Sequence, residues 1–233
     1  MRILPIIFAI IAFAPVGRAS QYWFDREGDD WPENMNPHWE RVWGDLYGQY
    51  HGPGARRTLE DGVLTYDSLY TDPVFDVYVM SRQGQMDPGP AEMFVMEWRL
   101  KVDAVQGDYD PQVAFISDQS HGIALSYAVD HIVSDWEGLL NIPFAPNEWH
   151  DYHVESSDMQ HYDLFIDGEL AHQGSFGEVV SRSQVEFGDV WVTANSLHHW
   201  DYLRFGVIPE PSTGLALGLA TSRLKFSTVA GLS

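Results

Sequence analysis

The tightest constraint on this chain is one alternating window. Across residues 92–105, Phe94, Met96, Trp98, Leu100 and Val102 interleave with Val95, Glu97, Arg99, Lys101 and Asp103. Successive side chains of a strand point to opposite faces, so a period of two sends the first set toward a core and the second mostly toward water. Tyr162, Leu164 and Ile166 alternate in the same way with Asp163, Phe165 and Asp167, and Asp167-Gly168 then supplies a tight turn back through Leu170 and His172. Asp61-Gly62 stands in the same relation to Val63, Leu64, Thr65 and Tyr66. Near the end, Asp201, Leu203, Phe205 and Val207 alternate with Tyr202 and Arg204.

Many short alternating segments separated by Gly, Pro, Asn and Asp predict an all-β sandwich or barrel. No long helical period competes, although residues 37–47 read as a helical turn or two. At 233 residues and 45% hydrophobic content the chain suits a single domain of this kind.

The charge is −21, from 34 acidic and 13 basic residues. Such a surface repels nucleic acid and anionic lipid headgroups, and is compatible with calcium or with neutral or cationic polymers. No cysteine is present, so disulfides, thiolate metal sites and cysteine catalysis are excluded.

Both ends read as addresses. Residues 1–19 have the form of a secretory signal peptide: Arg2, an apolar stretch over residues 3–16, then Gly17-Arg18-Ala19, with cleavage expected after Ala19. The alternative is an N-terminal anchor. At the other end Pro209, Glu210 and Pro211 precede Ser212-Thr213 and a Gly/Ala/Leu run over residues 214–220. This tail, residues 209–233, resembles the PEP-CTERM sorting signal of Gram-negative, exopolysaccharide-producing bacteria. The resemblance implies an exosortase-type processing enzyme as partner and a secreted or cell-surface location. The family's membrane helix is degenerate here. A span needs ~20 apolar residues, and Arg223 and Lys225 interrupt this one, so membrane contact is expected to be weak.

Between the ends, a Trp-x-x-Tyr-x-Val segment (Trp149, Tyr152, Val154) precedes one ending in Asp167-Gly168, and Trp200-Asp201-Tyr202-Leu203-Arg204-Phe205-Gly206 closes the domain. Trp31-Pro32-Glu33-Asn34, Pro37-His38-Trp39 and Glu60-Asp61-Gly62-Val63-Leu64 lead into it. In this order the segments resemble the concanavalin A-like lectin/glucanase superfamily in its LamG-like form. The resemblance implies a jelly roll of two antiparallel sheets over residues 20–208.

That superfamily includes laminarinase-type hydrolases, which set two Glu around an Asp on one strand. Glu92 and Glu97 have a related spacing, but Phe94 stands at the Asp position and residues five apart face oppositely. His150 and His153 also face oppositely, and His198-His199 reads as a turn carrying surface histidines. Asp108, Asp110 and Asp118 are the candidate calcium ligands, as LamG-like domains sometimes use, and solvated turn aspartates are the plainer reading. Of nine tryptophans, Trp98 reads as core, whereas Trp136 and Trp191, in polar surroundings, are candidates for stacking on sugar rings. No phosphate loop, nucleophile elbow or basic patch is present. The function expected is that of a noncatalytic exported glycan-associated or matrix protein binding extracellular polysaccharide. A glycoside hydrolase or lyase, and a structural surface protein without a small ligand, are the alternatives.

Overall fold

The computed structural model describes residues 22–44, 54–70, 75–81, 87–107, 111–116, 121–128, 130–134, 137–143, 145, 147–178, 184–190 and 194–209. Within them the chain forms two antiparallel sheets and one short 3-10 turn, Pro32–Asn34. The strands are β1 (Tyr22–Arg26), β2 (Glu40–Gly44), β3 (Arg56–Glu60), β4 (Val63–Asp67), β5 (Phe75–Ser81), β6 (Glu92–Gln106), β7 (Gln112–Ile116) and β8 (His121–Tyr127). They continue as β9 (His131–Ser134), β10 (Gly138–Pro143), β11 (Trp149–Ser156), β12 (His161–Ile166), β13 (Glu169–Ser175), β14 (Gly177–Glu178), β15 (Gln184–Asp189) and β16 (Asn195–Pro209). One eight-stranded sheet runs β13-β12-β11-β6-β16-β4-β3, with β1 also on β16. The other runs β10-β9-β8-β7-β15-β5-β2, with β14 also on β8. They are called the first and second sheets below.

The alternating window becomes β6, the centre of the first sheet, and its apolar set is buried throughout: Phe94, Met96, Trp98, Leu100 and Val102. Their partners come from the second sheet. Phe94 stacks on Phe115 at 3.9 Å, and the Trp98 indole N–H donates to the Tyr127 hydroxyl at 2.9 Å. Trp39 and Trp200 meet Phe187 edge-on at 5.1 and 5.0 Å. Burying a ring of phenylalanine size contributes roughly 1.5–3 kcal/mol, so this aromatic spine is the principal tie between the layers.

Both Asp-Gly steps form two-residue hairpin turns. Asp61 and Gly62 have φ of 51° and 81°, and Asp167 and Gly168 have 52° and 80°; the type I′ turn that suits strand twist requires positive φ at both positions.

Three local expectations are corrected. Residues 40–44 form β2, not a helical turn: among the described residues the helical turn sits earlier, where Pro32 fixes φ at its first position. His198 and His199 lie within β16, and His198 is completely buried rather than on the surface. Asp201 is not on the core face of Leu203, because a register irregularity between Trp200 and Tyr202 inserts a residue and puts Trp200 and Leu203 on the same side. Arg26 of β1 fills the interior there; its guanidinium donates to the carbonyls of Asp201 and, at 2.9 Å, of Gly62. Bent backbone at the irregularity exposes carbonyls that a regular ladder would use.

Candidate functional site

Most residues singled out from the sequence lie outside the described ones: Ala19, Asp108, Asp110, Asp118, Trp136, Trp191, Glu210 and Pro211. Pro209 is the last residue of β16, opposite Glu92 of β6. Glu92 and Glu97 do face oppositely. Glu92 accepts the Gly89 amide at 2.8 Å and holds the turn that enters β6, whereas Glu97 stands on the outer face of the first sheet.

That outer face carries an ordered polar array. Cross-strand register sets Phe165, His153, Glu97 and Arg204 side by side on β12, β11, β6 and β16. The His153 ring bridges two carboxylates, with Nδ1 3.0 Å from Glu97 Oε1 and Nε2 3.2 Å from Glu155 Oε2. Arg204 Nε donates to Glu97 Oε2 at 2.6 Å. In the adjacent row Asp151, Arg99 and Tyr202 are neighbours. The Tyr202 hydroxyl donates to Asp151 at 3.1 Å, and Arg99 lies 3.7 Å from Asp151 and 3.5 Å from Asp201. A third row holds Trp149, Lys101, His199 and Thr65. His199 is fixed between Thr65 Oγ1 at 2.8 Å and Asp103 Oδ2 at 2.9 Å.

The electrostatics follow from this pairing. Hydrogen bonds from His153 and Arg204 hold the Glu97 carboxyl below its usual range against the opposing effect of burial. Burial works against the His153 imidazolium, but its bonds to Glu97 and Glu155 prevail and raise its pKa. Asp103 is likewise held down by Lys101 and His199 although burial opposes. Burial and Asp151 push the Tyr202 hydroxyl up to about 12. A glycosidase general acid requires a carboxyl raised toward neutrality. Glu97, Asp103, Asp158 and Asp167 are all displaced the other way. Both Glu97 oxygens are engaged as well, Oε1 by His153 and Oε2 by Arg204.

The same face carries aromatic side chains. Phe165, Trp149 and Tyr202 are half-buried among these charges. Arg99 lies over the Trp149 ring at 5.5 Å and Arg204 over Tyr202 at 4.9 Å, and Phe165 meets the His153 ring edge-on at 5.5 Å. Fixed aromatic planes beside fixed hydrogen-bonding groups match the two surfaces of a sugar, its apolar face and its hydroxyls.

The outer side of the second sheet is different. β8 presents Gly122, Ala124 and Ser126 there, all buried, and Gln112 donates to Ser126 Oγ at 2.8 Å. Glu186 on β15 accepts from Gln184 at 3.0 Å. No described strand carries two Glu around an Asp on one face, and no cluster of three or more His, Asp or Glu suited to a metal occurs among the described residues.

Sequence reading missed the array for a definable reason. Along β11 alone, His150 and His153 are three residues apart, face oppositely and suggest no cluster. The signal was the outward series Asp151, His153, Glu155 on β11, whose meaning depends on which residues of β6 and β16 stand opposite.

Two eight-stranded antiparallel sheets packed face to face, with this order, are the concanavalin A-like jelly roll. No protein-family model matches the sequence, and no curated protein is similar to it. Solved structures do share its fold. A carbohydrate esterase from the Shiga toxin-encoding bacteriophage phi24B superimposes with a TM-score of 0.56 at 10% identity, covering 79% of this chain and 97% of the other. An endo-1,3-beta-glucanase from Streptomyces sioyaensis gives 0.55 at 12% identity, covering 85% and 99%.

Proposed function

We propose that the protein is a noncatalytic, exported, glycan-associated module that holds polysaccharide on the outer face of its first sheet. The observation that carries this reading is the combination of Trp149, Tyr202 and Phe165 with the fixed Glu97–His153–Glu155–Arg204 array. The two similar structures have carbohydrate-directed descriptions, an esterase and a glucanase, which makes glycans the first ligands to try. The charge of −21 favours neutral or cationic glycans over polyanionic ones. The signal-like residues 1–19 and the PEP-CTERM-like tail support export through an exosortase route, from a LamG-like domain to the cell surface or medium.

A glycan array on the full chain tests the reading. Binding is expected, and Trp149→Ala or Tyr202→Ala should weaken it at least about tenfold, equivalent to about 1.4 kcal/mol. No binding on the array, or binding indifferent to both substitutions and to Phe165→Ala, would remove this face as the site. The hydrolase alternative predicts release of reducing ends from β-glucans, and Glu97→Gln should abolish that release if this face were catalytic.

A further inference from the structure

Two histidines of the outer face are satisfied in different ways. His199 meets one carboxylate, Asp103 Oδ2 at 2.9 Å, and one hydroxyl, Thr65 Oγ1 at 2.8 Å. A hydroxyl both donates and accepts, so a neutral ring with its hydrogen on Nε2 completes both bonds. His153 has no such freedom. Its Nδ1 lies 3.0 Å from Glu97 Oε1 and its Nε2 3.2 Å from Glu155 Oε2, and an ionised carboxylate only accepts. Both bonds therefore form only when both nitrogens carry hydrogen, in the imidazolium cation. The side chain is 30% exposed, so the proton exchanges with solvent.

Loss of that proton acts unequally on the two carboxylates. Glu97 keeps Arg204, whose Nε donates to Oε2 at 2.6 Å. The Glu155 carboxylate has no partner but His153 among the described residues. Across the sheet it stands opposite Asp163, a like charge. The surrounding charges are already engaged. Arg99 of β6 lies against Asp151 of β11 and Asp201 of β16. On the β12 side Asp163 is held by Gln173 at 2.8 Å, and His161 by Asp158 at 2.8 Å. The His153 proton is thus what keeps Glu155 in the array, and Phe165 rests edge-on against the same ring.

We propose that glycan binding at this face is switched by the His153 proton, the site being ordered while the ring is an imidazolium and losing affinity as rising pH removes it. The inference rests on the reading of this face as the glycan site. Burial opposes the imidazolium, but the bonds to Glu97 and Glu155 outweigh it and raise its pKa, so the ordered form persists above the ordinary histidine range. Beyond that range Glu155 is released beside Asp163. A sugar then meets mobile acceptors in place of fixed ones, and binding bears the cost of ordering them. His153 is a positioning residue in this scheme. The protein would grip polymer in mildly acidic surroundings and release it in alkaline ones.

NMR titration of the His153 ring in the full chain fixes the pH range, and arrays of neutral glycans read on either side of it test the proposal. Affinity is expected to fall at least about fivefold across the titration. Linkage is reciprocal, so saturating the chain with the neutral oligosaccharide it binds best should strengthen proton binding at His153 by the same factor. Glu97→Gln should move the ring titration and the affinity transition together to lower pH. His153→Gln should bind alike on both sides. Equal binding on both sides by the unaltered chain would overturn the switch and leave the face as a glycan site, whereas binding on neither side would overturn both. His150 also has acceptors at both nitrogens, Asp167 Oδ2 and the Ala145 carbonyl, but on the other face of β11. A transition retained in His153→Gln, or unmoved when Glu97→Gln shifts the ring titration, would show that His153 is not the switch. If a variant fails to fold by circular dichroism, the reciprocal titration on the unaltered protein decides alone.

Discussion

Mild acid should destabilise this protein through one residue, His198. Its ring is fully buried, stacked on Tyr66 at 5.0 Å and edge-on to Trp200 at 6.0 Å. Nδ1 pairs with Ser196 Oγ at 2.8 Å, and Nε2 has no hydrogen-bond partner. Burial, with His199 nearby, pulls its pKa well below the ordinary 6.5. Below pH 6.5 the unfolded chain therefore binds a proton that the folded chain refuses, and stability falls with pH. The slope is at most about 1.4 kcal/mol per pH unit, approached as pH falls from about 6.5 toward about 5. Other shifted groups do not obscure that window. The depressed carboxyls begin to lose their contribution only near 4.5 and below. His153, whose pKa is raised, contributes fully below 6.5 and loses its contribution as pH rises through its folded value. Urea unfolding at both ends of the window, for the unaltered chain and for His198→Phe, reads the effect; about pH 5 also stays above the sequence pI of 4.5. The variant should lose most of the slope. An unaltered chain equally stable at both ends, or a variant with the same slope, would refute the assignment.

The other expectations concern the sheet ties and the array. Gly174→Ala would place a Cβ 2.5 Å from the Tyr162 ring and 2.6 Å from Glu137 Oε2; such overpacking costs about 1–3 kcal/mol and should appear as a lower melting temperature. Asp76→Ala removes a fully buried carboxylate that receives Arg41 at 2.8 and 2.5 Å and the Ala55 amide at 2.9 Å. A loss of about 3–5 kcal/mol is expected in denaturant unfolding, and a smaller one for Asp76→Asn. Glu97→Gln should lower the pKa of His153, read from its ring resonances by NMR, because the carboxylate that helps raise it becomes neutral. An unchanged titration would mean that Glu155 alone sustains the shift.

Legibility from sequence followed the range of the interactions. The β6 alternation and both Asp-Gly turns were readable because a strand's facing and a turn's φ are settled within a few residues. Where pairing across the sheet decides, reading failed. The His-His-Trp series looked like a turn, because polar residues interrupt the apolar pattern; in β16 one histidine is buried against Tyr66 and the next is held by Asp103. Asp201 was assigned to the wrong face because the irregularity beside it is answered by Arg26, distant in sequence. Glu137 has no local sequence signal. Its role, accepting from Tyr162, His172 and Ser175 to clasp the second sheet onto the first, depends on residues brought together by folding.

The placement of the two ends has a mechanical consequence. Tyr22 at the start of β1 lies opposite Val207, and β16 ends at Pro209 opposite Glu92, so both ends of the described chain leave the same end of the sandwich. Tension entering through the tail would run along β16, which is bound lengthwise to β6 on one flank and to β4 and β1 on the other. Such a pull shears many ladder bonds at once instead of opening them one after another. A domain held by that tail would stand with its strands along the tether and its broad faces turned sideways.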